Sequence, residues 1–248
     1  MIRIAFLGAK KIGFECLRTL HEGLNSMEMK IDAVFTNLER NVNTNTEIIK
    51  FANDRDIQTF ESINQIIHLA DFDFILSVQY HEILKEVHLQ KAKRLAVNLH
   101  MAPLPEYRGC NQFSFAIIDG AKEFGSTLHQ MTVGIDSGDI IAEKRFPIPS
   151  NCFVHELYNL TFDASIELFE KNIFNILSGE FQLTKQDSLI SYRGTKTIRR
   201  KDIDKIKEID LAWDSERIER HIRATLMPGF EPPFTFIKNK KIYFSDNY

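Results

Sequence analysis

Short apolar runs alternate with helical segments through the first hundred residues, and this alternation most constrains the fold of the chain. The runs that predict buried strands cover residues 2–7, 31–36, 57–60, 72–78 and 95–98. The segments between them place apolar side chains at helical spacing, at residues 12–20, 47–52 and 63–69. Strands that alternate with helices in this way form a mostly parallel sheet flanked by helices. We therefore predict an α/β fold.

The second half of the chain interrupts this alternation. Residues 126–131 and 140–148 predict two strands of a hairpin-like pair, with Gly138 in their connection. Residues 153–177 predict the longest helix, capped by Ser150 or Asn151 and ended by Gly179. We expect one stripe of this helix to pack against the sheet. Its members are Phe153, Leu157, Leu160, Ala164 and Leu168.

The character of the sequence changes after Gly179. Residues 182–188 are polar and predict a linker, and residues 215–224 predict an amphipathic helix. A proline loop at 227–233 precedes a predicted terminal β-hairpin, with strands at 234–237 and 242–245. We therefore divide the chain into an N-terminal domain, residues 1–180, and a small C-terminal region, residues 181–248, ending in the hairpin.

Composition excludes several classes of function. The chain has 248 residues, is 44% hydrophobic and carries a formal net charge of −3, unlike a basic nucleic-acid-binding protein, although a local basic patch remains open. Its three cysteines lack metal-binding spacing and predict reduced thiols. The first eight residues do not form a signal peptide, and no apolar run approaches the ~18 residues of a membrane span. We expect a cytoplasmic protein that binds neither a metal nor a membrane.

Three polar residues form the candidate catalytic set. Asn98 and His100 follow the apolar run of residues 95–97, and residues i and i+2 of a strand point to the same face. Asp136 must be brought to them by the fold. An amide, an imidazole and a carboxylate suit acyl-type transfer to an amine, because they steady an oxyanion, move a proton and orient the imidazole. Taken singly, Asn98 is more simply a turn residue and His100 an ordinary satisfied histidine.

The sequence around these residues resembles a known family. Residues 98–109 (NLHMAPLPEYRG), 125–131 (GSTLHQM) and 134–139 (GIDSGD) are similar to the signature segments of 10-formyltetrahydrofolate-dependent formyltransferases. The resemblance covers most of the chain and implies a Rossmann-like formyltransferase fold, with residues 1–180 as the catalytic domain. It also implies N10-formyltetrahydrofolate as the formyl donor. In this interpretation His100 is the base, Asn98 the oxyanion donor and Asp136 the group that orients the imidazole.

The resemblance also implies where the folate binds. The loop containing Gln79, Tyr80, His81 and Ile83 would line a flat slot for the pterin, with Ile83 and Leu104 against its faces. Asp139 is a further candidate for contact with the pterin, and an ordinary turn aspartate is an equal alternative.

The compact form of the chain is similar to sugar N-formyltransferases that act on nucleotide-linked amino sugars. The diphosphate is assigned to Lys10 and Lys11 at a helix start, although a solvated lysine pair is an equal alternative. Arg108 and Asn111 are expected to hydrogen-bond the sugar hydroxyls or a phosphate. The candidates to stack on the base are Tyr192, Trp213 and Phe230, although such aromatic residues more often belong to a core.

The substrate expected by resemblance is thymidine-diphospho-4-amino-4,6-dideoxyglucose or a 3-amino isomer, for the synthesis of a surface polysaccharide such as O-antigen lipopolysaccharide. An enzyme that resembles methionyl-tRNA formyltransferase is the first alternative, supported by a basic cluster of Arg193, Lys196, Arg199, Arg200 and Lys201. A folate-binding protein without catalysis and a decarboxylase or hydrolase on the same scaffold remain further alternatives. The terminal hairpin offers strand edges and aromatic side chains, so we expect a homodimer.

Overall fold

The computed structural model describes residues 1–24, 28–38 and 42–245. Its strands are β1 (Ile2–Gly8), β2 (Met29–Phe35), β3 (Gln58–Phe60), β4 (Phe72–Val78), β5 (Ala92–His100), β6 (Arg108–Gly109), β7 (Glu123–Gln130), β8 (Ile140–Pro147), β9 (Thr197–Ile198), β10 (Phe234–Ile237) and β11 (Lys240–Tyr243). The main sheet has seven strands in the order β3-β2-β1-β4-β5-β7-β8. β1 to β5 pair in parallel, whereas β7 and β8 are antiparallel. The predicted mostly parallel α/β fold is therefore confirmed.

Helices cover both faces of this sheet. They are α1 (Lys10–Gly23), α2 (Val42–Asn53), α3 (Glu86–Leu89), α4 (Gln112–Ile118), α5 (Val154–Ser178), α6 (Asp187–Arg193), α7 (Asp204–Lys207) and α8 (Ser215–Thr225). Two short 3₁₀ helices, Ile63–His68 and Arg200–Ile203, complete the set within the described residues. None of the helices described is long and apolar enough to cross a membrane.

Both faces of β1 are buried, which explains why its sequence is apolar throughout. Ile4 and Phe6 belong to the core cluster that contains α1 and α5. Ala5 and Leu7 point to the opposite face and pack against the 3₁₀ helix Ile63–His68. A strand buried on both faces needs a continuous apolar run rather than an alternating one.

The long helix α5 begins differently from the sequence expectation. Neither Ser150 nor Asn151 caps it; the carboxylate of Glu156 instead accepts a hydrogen bond of 2.7 Å from the Phe153 N–H. The helix ends as expected at Gly179, which adopts a left-handed φ of 88°. Within the predicted stripe Leu160 is 38% exposed, so it lies outside the packed face.

The predicted linker at 182–188 is bound to the sheet edge. Thr184 exchanges two backbone hydrogen bonds of 2.8 Å with Ile140 on β8. Farther along, the Arg193 guanidinium donates two hydrogen bonds to Glu143, also on β8. The linker is therefore not a loose connection, because a polar segment can pair its backbone with an open strand edge. The terminal hairpin of β10 and β11 is confirmed.

The strand order marks the carboxyl ends of β1 and β4 as the expected crevice of the sheet. The chain runs from β1 outward to β2 and β3, and then returns to place β4 on the other side of β1. Ligands of open α/β sheets bind where the order reverses in this way. The residues that follow β1 and β4 are Ala9, Lys10 and Gln79, and the Lys10 Nζ donates a 2.9 Å hydrogen bond to the Gln79 Oε1.

Candidate active site

Pairing between β5 and β7 sets the face on which the site forms. Asn98 lies opposite His129, and His100 lies opposite Thr127. Side chains directly opposite each other on an antiparallel pair share one face of the sheet. Asn98, His100 and His129 therefore project on the same side, as the i and i+2 spacing predicted for the first two.

His100 is held by a backbone carbonyl. Its Nε2 lies 2.7 Å from the Tyr107 carbonyl oxygen, which only accepts, so Nε2 carries the hydrogen. The other ring nitrogen, Nδ1, lies 3.6 Å from the Asp136 Oδ2. The ring is almost fully buried. In the neutral ring Nδ1 is therefore the nitrogen that can take a proton, and it faces the carboxylate.

His129 orients the amide of Asn98. Its Nδ1 donates a 2.9 Å hydrogen bond to the Gln130 carbonyl, so in the neutral ring Nε2 is an acceptor. The Asn98 Nδ2 lies 3.1 Å from this Nε2 and donates one N–H to it. The second N–H of the amide has no partner in the described part of the chain. The amide nitrogen is thereby turned toward the site.

Asp136 lies between the two imidazoles. Its Oδ1 is 3.5 Å from the His129 Nε2, and its Oδ2 accepts a 2.9 Å hydrogen bond from the Gly109 N–H. Burial alone would raise the pKa of this carboxyl. When the imidazoles are protonated, the positive charges of His100 and His129, together with the His129 and Gly109 hydrogen bonds, outweigh burial and hold the pKa of Asp136 well below its usual range. The carboxylate is therefore ionised.

The fold thus brings together Asn98, His100 and Asp136, which the sequence predicted as one set. His129 was not predicted as a member. The strand alternation around it was visible in the sequence, and it placed His129 on the same face as Thr127 and Met131. What the sequence did not contain was the register of β7 against β5, which alone puts His129 beside Asn98.

The loop predicted to line the folate slot follows β4. Gln79 has a left-handed φ of 54°, and Ile83 is 75% exposed. The Tyr80 hydroxyl donates a 2.8 Å hydrogen bond to Glu82, and burial with this carboxylate raises the pKa of Tyr80 far above its usual value. The His81 Nε2 lies 3.8 Å from Glu82. Glu82, which also accepts from the Ile63 N–H, anchors the loop to the neighbouring 3₁₀ helix.

The two other residues assigned to the folate have different surroundings. Leu104 is fully buried and packs with Ile140 and Leu189. Asp139 is partly exposed, and its carboxylate forms no hydrogen bond or ion pair among the described residues. Asp139 is therefore free to contact a ligand, whereas Leu104 presents no surface to one in this conformation.

The two lysines assigned to a diphosphate diverge. The Lys10 ammonium points to Gln79, and burial, with a smaller contribution from the Arg200 charge, lowers its pKa. The Lys11 ammonium lies 5.7 Å from the centre of the Phe162 ring on α5. The structure therefore leaves Lys10 in the crevice and places Lys11 against a helix.

Arg108 and Asn111 both contact the C-terminal region. Arg108 donates to the Gln186 Oε1 from Nε at 3.1 Å and from Nη2 at 2.8 Å. The Asn111 Nδ2 donates to the Arg199 and Arg200 carbonyls at 3.1 and 2.9 Å. Gln186 was treated in the sequence only as part of a linker, and no local signal marks it as a site residue.

The three aromatic candidates are dispersed over the C-terminal region. Tyr192 and Phe230 are each 68% exposed. Trp213 is only partly exposed, and its ring lies 4.6 Å from the His221 ring and 3.9 Å from the Arg217 guanidinium carbon. Phe230 therefore has ring faces available to a ligand. The exposed Tyr192 ring has the Arg193 guanidinium carbon 5.8 Å from its centre, and Trp213 already has two ring neighbours.

Two surface cavities, of about 400 and about 360 Å³, lie where α8 packs near α4. None of the residues named so far for catalysis or binding lines them. No group of three or more His, Cys, Asp or Glu side chains that would hold a metal ion occurs in the ranges described.

An oriented amide, two imidazoles and an ionised carboxylate lie together at the carboxyl end of β5, and this set suits acyl-type group transfer in an α/β protein. The chain belongs to the formyl transferase family, because the family model described as Formyl transferase matches residues 3–173. The family resemblance of the sequence is therefore confirmed.

Relatives with known names fall into two groups. A methionyl-tRNA formyltransferase of Clostridium beijerinckii is 33% identical over 198 residues, which cover 78% of this chain and 58% of that protein. A GDP-perosamine N-formyltransferase of Brucella melitensis is 26% identical over 226 residues, which cover 89% of this chain and 85% of that protein. The chain spans about half the length of the first curated relatives it matches.

Solved structures show the same fold. The sugar 3N-formyl transferase WlaRD, crystallised with dTDP and 5-N-formyl-THF, has a TM-score of 0.77 and 26% identity. The match covers 98% of this chain and 85% of that one. A 4-N formyltransferase from Francisella tularensis has a TM-score of 0.82 and 20% identity, and the match covers 98% of this chain and 96% of that one. This match establishes similarity of fold.

Proposed function

We propose that this protein transfers a formyl group from N10-formyltetrahydrofolate to the amino group of a nucleotide-linked amino sugar. The observation that carries the proposal is the arrangement of Asn98, His100 and Asp136 on one face, with His129 fixing the amide. In the reaction the amine nitrogen bonds to the formyl carbon, the bond from that carbon to N10 breaks, and a proton passes from the amine to N10.

His100 is the group that moves this proton. Its Nδ1 carries no hydrogen in the neutral ring, while Nε2 is held by the Tyr107 carbonyl, so the ring takes a proton without turning. The neighbouring Asp136 carboxylate attracts the imidazolium that forms. General base catalysis of this kind contributes about 10²–10⁴-fold to a rate.

Asn98 is the donor to the oxyanion. The amide has one N–H fixed on His129, which leaves the other to meet negative charge on the formyl oxygen. One donor held in place before the reaction is typically worth ~3 kcal/mol. The roles of Asn98 and His129 are therefore linked, since the histidine prevents rotation of the amide.

The residues beside this centre fit a folate. N10-formyltetrahydrofolate supplies the one-carbon unit as an activated amide. The loop at residues 79–84 follows β4 at the crevice, exposes Ile83, and offers backbone groups outside any helix or strand. Asp139 adds a carboxylate that has no partner among the described residues and is suited to the N–H groups of a pterin edge. In this proposal Gln79, Tyr80, His81, Ile83 and Asp139 line the slot, and Leu104 contributes only if its cluster opens.

The nucleotide sugar is assigned to the crevice and to the C-terminal region. Lys10 is the better of the two lysines for the diphosphate, because its ammonium lies beside Gln79 at the ends of β1 and β4, whereas Lys11 lies over the Phe162 ring on α5. Arg108 and Asn111 lie at the junction with the C-terminal region, and Tyr192 and Phe230 offer exposed rings for the base. We rank Trp213 below them, because its ring already has neighbours.

Coverage of the relatives supports a sugar rather than a tRNA. The similarity to WlaRD covers 98% of this chain, and WlaRD and the GDP-perosamine enzyme are each matched over 85% of their own length. The methionyl-tRNA formyltransferases are matched over smaller shares of their length, from 46% to 76%. We keep thymidine-diphospho-4-amino-4,6-dideoxyglucose, or a 3-amino isomer, as the proposed acceptor in surface polysaccharide synthesis. The cytoplasmic location stays a prediction.

The test is a panel of acceptors with one formyl donor. Purified protein and N10-formyltetrahydrofolate are incubated with 3-amino and 4-amino sugars linked to dTDP or GDP, and formylated product is measured by mass spectrometry.

His100→Asn should lower kcat by about 10²-fold or more, whereas the exposed His68→Asn should match the wild type. Near-normal turnover by the His100 variant would refute the role of this residue, and no product from any sugar would refute the acceptor class.

The tRNA alternative rests on the basic cluster of the C-terminal region. Arg199, Arg200 and Lys201 are exposed, whereas Arg193 and Lys196 are paired with Glu143 and Asp119. An RNA-binding surface would give salt-sensitive binding of methionyl-tRNA. Absence of any such binding at low salt, with formylation of a sugar, would remove this alternative.

A further inference from the structure

Gln186 is buried where the sequence predicted a polar linker. The residue lies immediately before α6, and only 1% of its surface is exposed. The preceding Thr184 is paired with Ile140 on β8, so the segment is fixed to the edge of the main sheet. A fully buried amide is costly unless its donors and acceptors are satisfied.

Both the oxygen and the nitrogen of the Gln186 side-chain amide form hydrogen bonds. The Oε1 accepts from the Arg108 Nε and Nη2, and the Nε2 donates to the carbonyl oxygens of Asp136 and Gly138 at 2.9 and 2.6 Å. A guanidinium only donates and a carbonyl only accepts, so the amide has one orientation. Gln186 thus joins Arg108 to the loop that holds the catalytic carboxylate.

This loop has little else to hold its backbone. Residues 131–139 form no helix or strand, and Asp136 has a left-handed φ of 46°, which an L-residue seldom adopts. Apart from the contacts of the Asp136 carboxylate, the other hydrogen bonds of the loop among the described residues join the Thr132 and Ser137 hydroxyls to each other and fix the ends of the loop. At those ends the Met131 N–H donates to the Ala96 carbonyl and the Gln130 N–H donates to the Asp139 carbonyl. The backbone carbonyls of Asp136 and Gly138 are therefore held by Gln186.

We propose that Gln186 is a positioning residue for the reaction, which sets the place of the Asp136 carboxylate between His100 and His129. The proposal rests on the catalytic role of Asp136 given above. Gln186 lies outside residues 3–173, the part that the family model matches. The catalytic centre is therefore completed by the C-terminal region.

Two substitutions separate positioning from packing. Gln186→Met keeps the length and the burial but removes every hydrogen bond of the amide. Gln186→Glu keeps an acceptor for Arg108 but replaces the Nε2 donor with an oxygen. That oxygen cannot donate to the Asp136 and Gly138 carbonyls. Gln182→Met, at an exposed position of the same segment, is the matched control.

The first readout is the division between kcat and KM. Both Gln186 variants should lower kcat by about 10²-fold, the usual effect of displacing a reacting group by an ångström, with KM changed far less. The control should match the wild type. If Gln186→Glu retains kcat within about threefold of the wild type, Gln186 only anchors Arg108 and the proposal is overturned.

The second readout does not require activity. The Gly109 N–H donates to the Asp136 Oδ2, whereas the N–H groups of Arg108 and Cys110 donate to the Lys196 and Ile198 carbonyls. Hydrogen exchange at Gly109 should accelerate in both Gln186 variants, with the two neighbouring amides unchanged. Unchanged Gly109 exchange would overturn the proposal even if kcat falls. A wild type that transfers no formyl group would refute the proposed function, while the exchange comparison would still decide the position of Asp136.

Discussion

At the scale of single residues, the chemistry depends on which nitrogen of each imidazole carries a hydrogen. The Tyr107 carbonyl fixes this for His100, and the Gln130 carbonyl fixes it for His129. In their neutral forms the two histidines consequently direct an unprotonated nitrogen toward the Asp136 carboxylate. This nitrogen is Nδ1 in His100 and Nε2 in His129. One of them is placed to accept a proton, and the other is placed to hold the Asn98 amide.

The depressed pKa of Asp136 predicts how stability depends on pH. A carboxylate with a lower pKa in the folded than in the unfolded chain stabilises the fold fully above the unfolded value, about 3.9, and progressively less as the pH falls below it. Asp136→Asn should therefore reduce the free energy of unfolding at pH 7 by about 1–3 kcal/mol. The deficit relative to the wild type should shrink as the pH falls below about 4.

Urea unfolding at a series of pH values measures this difference. Asp139→Asn serves as the control, because it removes a carboxylate of the same loop that has no partner among the described residues. A deficit for Asp136→Asn that stays the same at every pH would contradict the assigned interactions of the ionised carboxylate.

At the scale of elements, the connection between β7 and β8 decides where Asp136 lies. Gly138 approaches the backbone of β7 so closely that a Cβ at this position would overlap the Gln130 carbonyl oxygen. The glycine is required by this approach rather than by its φ. The connection is thereby pressed against the strand that carries His129, which brings the carboxylate to the imidazole.

Gly138→Ala should move this connection and lower kcat. We expect a loss of about 10²-fold, because the carboxylate is displaced while the sheet stays intact. Steady-state kinetics and circular dichroism measure the two effects separately. Gly120→Asn is the control: position 120 has a left-handed φ of 65° that Asn tolerates, and a Cβ there meets nothing within 4 Å. Normal kcat in Gly138→Ala would show that the loop does not control the carboxylate.

At the scale of the whole molecule, the C-terminal region closes on the first domain through polar contacts. Thr184 pairs with β8, Arg193 binds Glu143, and the Arg223 guanidinium donates to the Cys152 carbonyl at 3.1 Å. The division at residue 180 stays a prediction. Beyond these contacts, the terminal hairpin leaves four apolar side chains about half exposed. They are Phe236, Ile237, Ile242 and Tyr243.

These side chains lead us to predict a homodimer formed through the hairpin. Burial of exposed apolar side chains and open strand edges favours association between copies. Light scattering at micromolar protein should give the mass of two chains for the wild type and of one chain for Ile242→Lys. Ile67→Lys changes an equally exposed isoleucine on a distant 3₁₀ helix and should remain dimeric. A monomeric wild type would contradict the prediction.

The sequence by itself determined the sheet and the family. Apolar runs and helical spacing are local properties, so the strands near residues 2–7 and 72–78 and the long helix α5 were predictable within a few residues. The motif around Asn98, His100 and Asp136 was also visible. The cap of α5 was predicted wrongly, because a carboxylate one turn into the helix competes for the same N–H.

Only the tertiary structure decided what surrounds these residues. His129 joins the site through the register of β7 against β5, and Gln186 through the return of the chain to the edge of β8. Both depend on contacts between segments distant in sequence, for which no local pattern exists. The candidate catalytic residues could thus be proposed from the sequence, while their orientation follows from the long-range pairing that buries them.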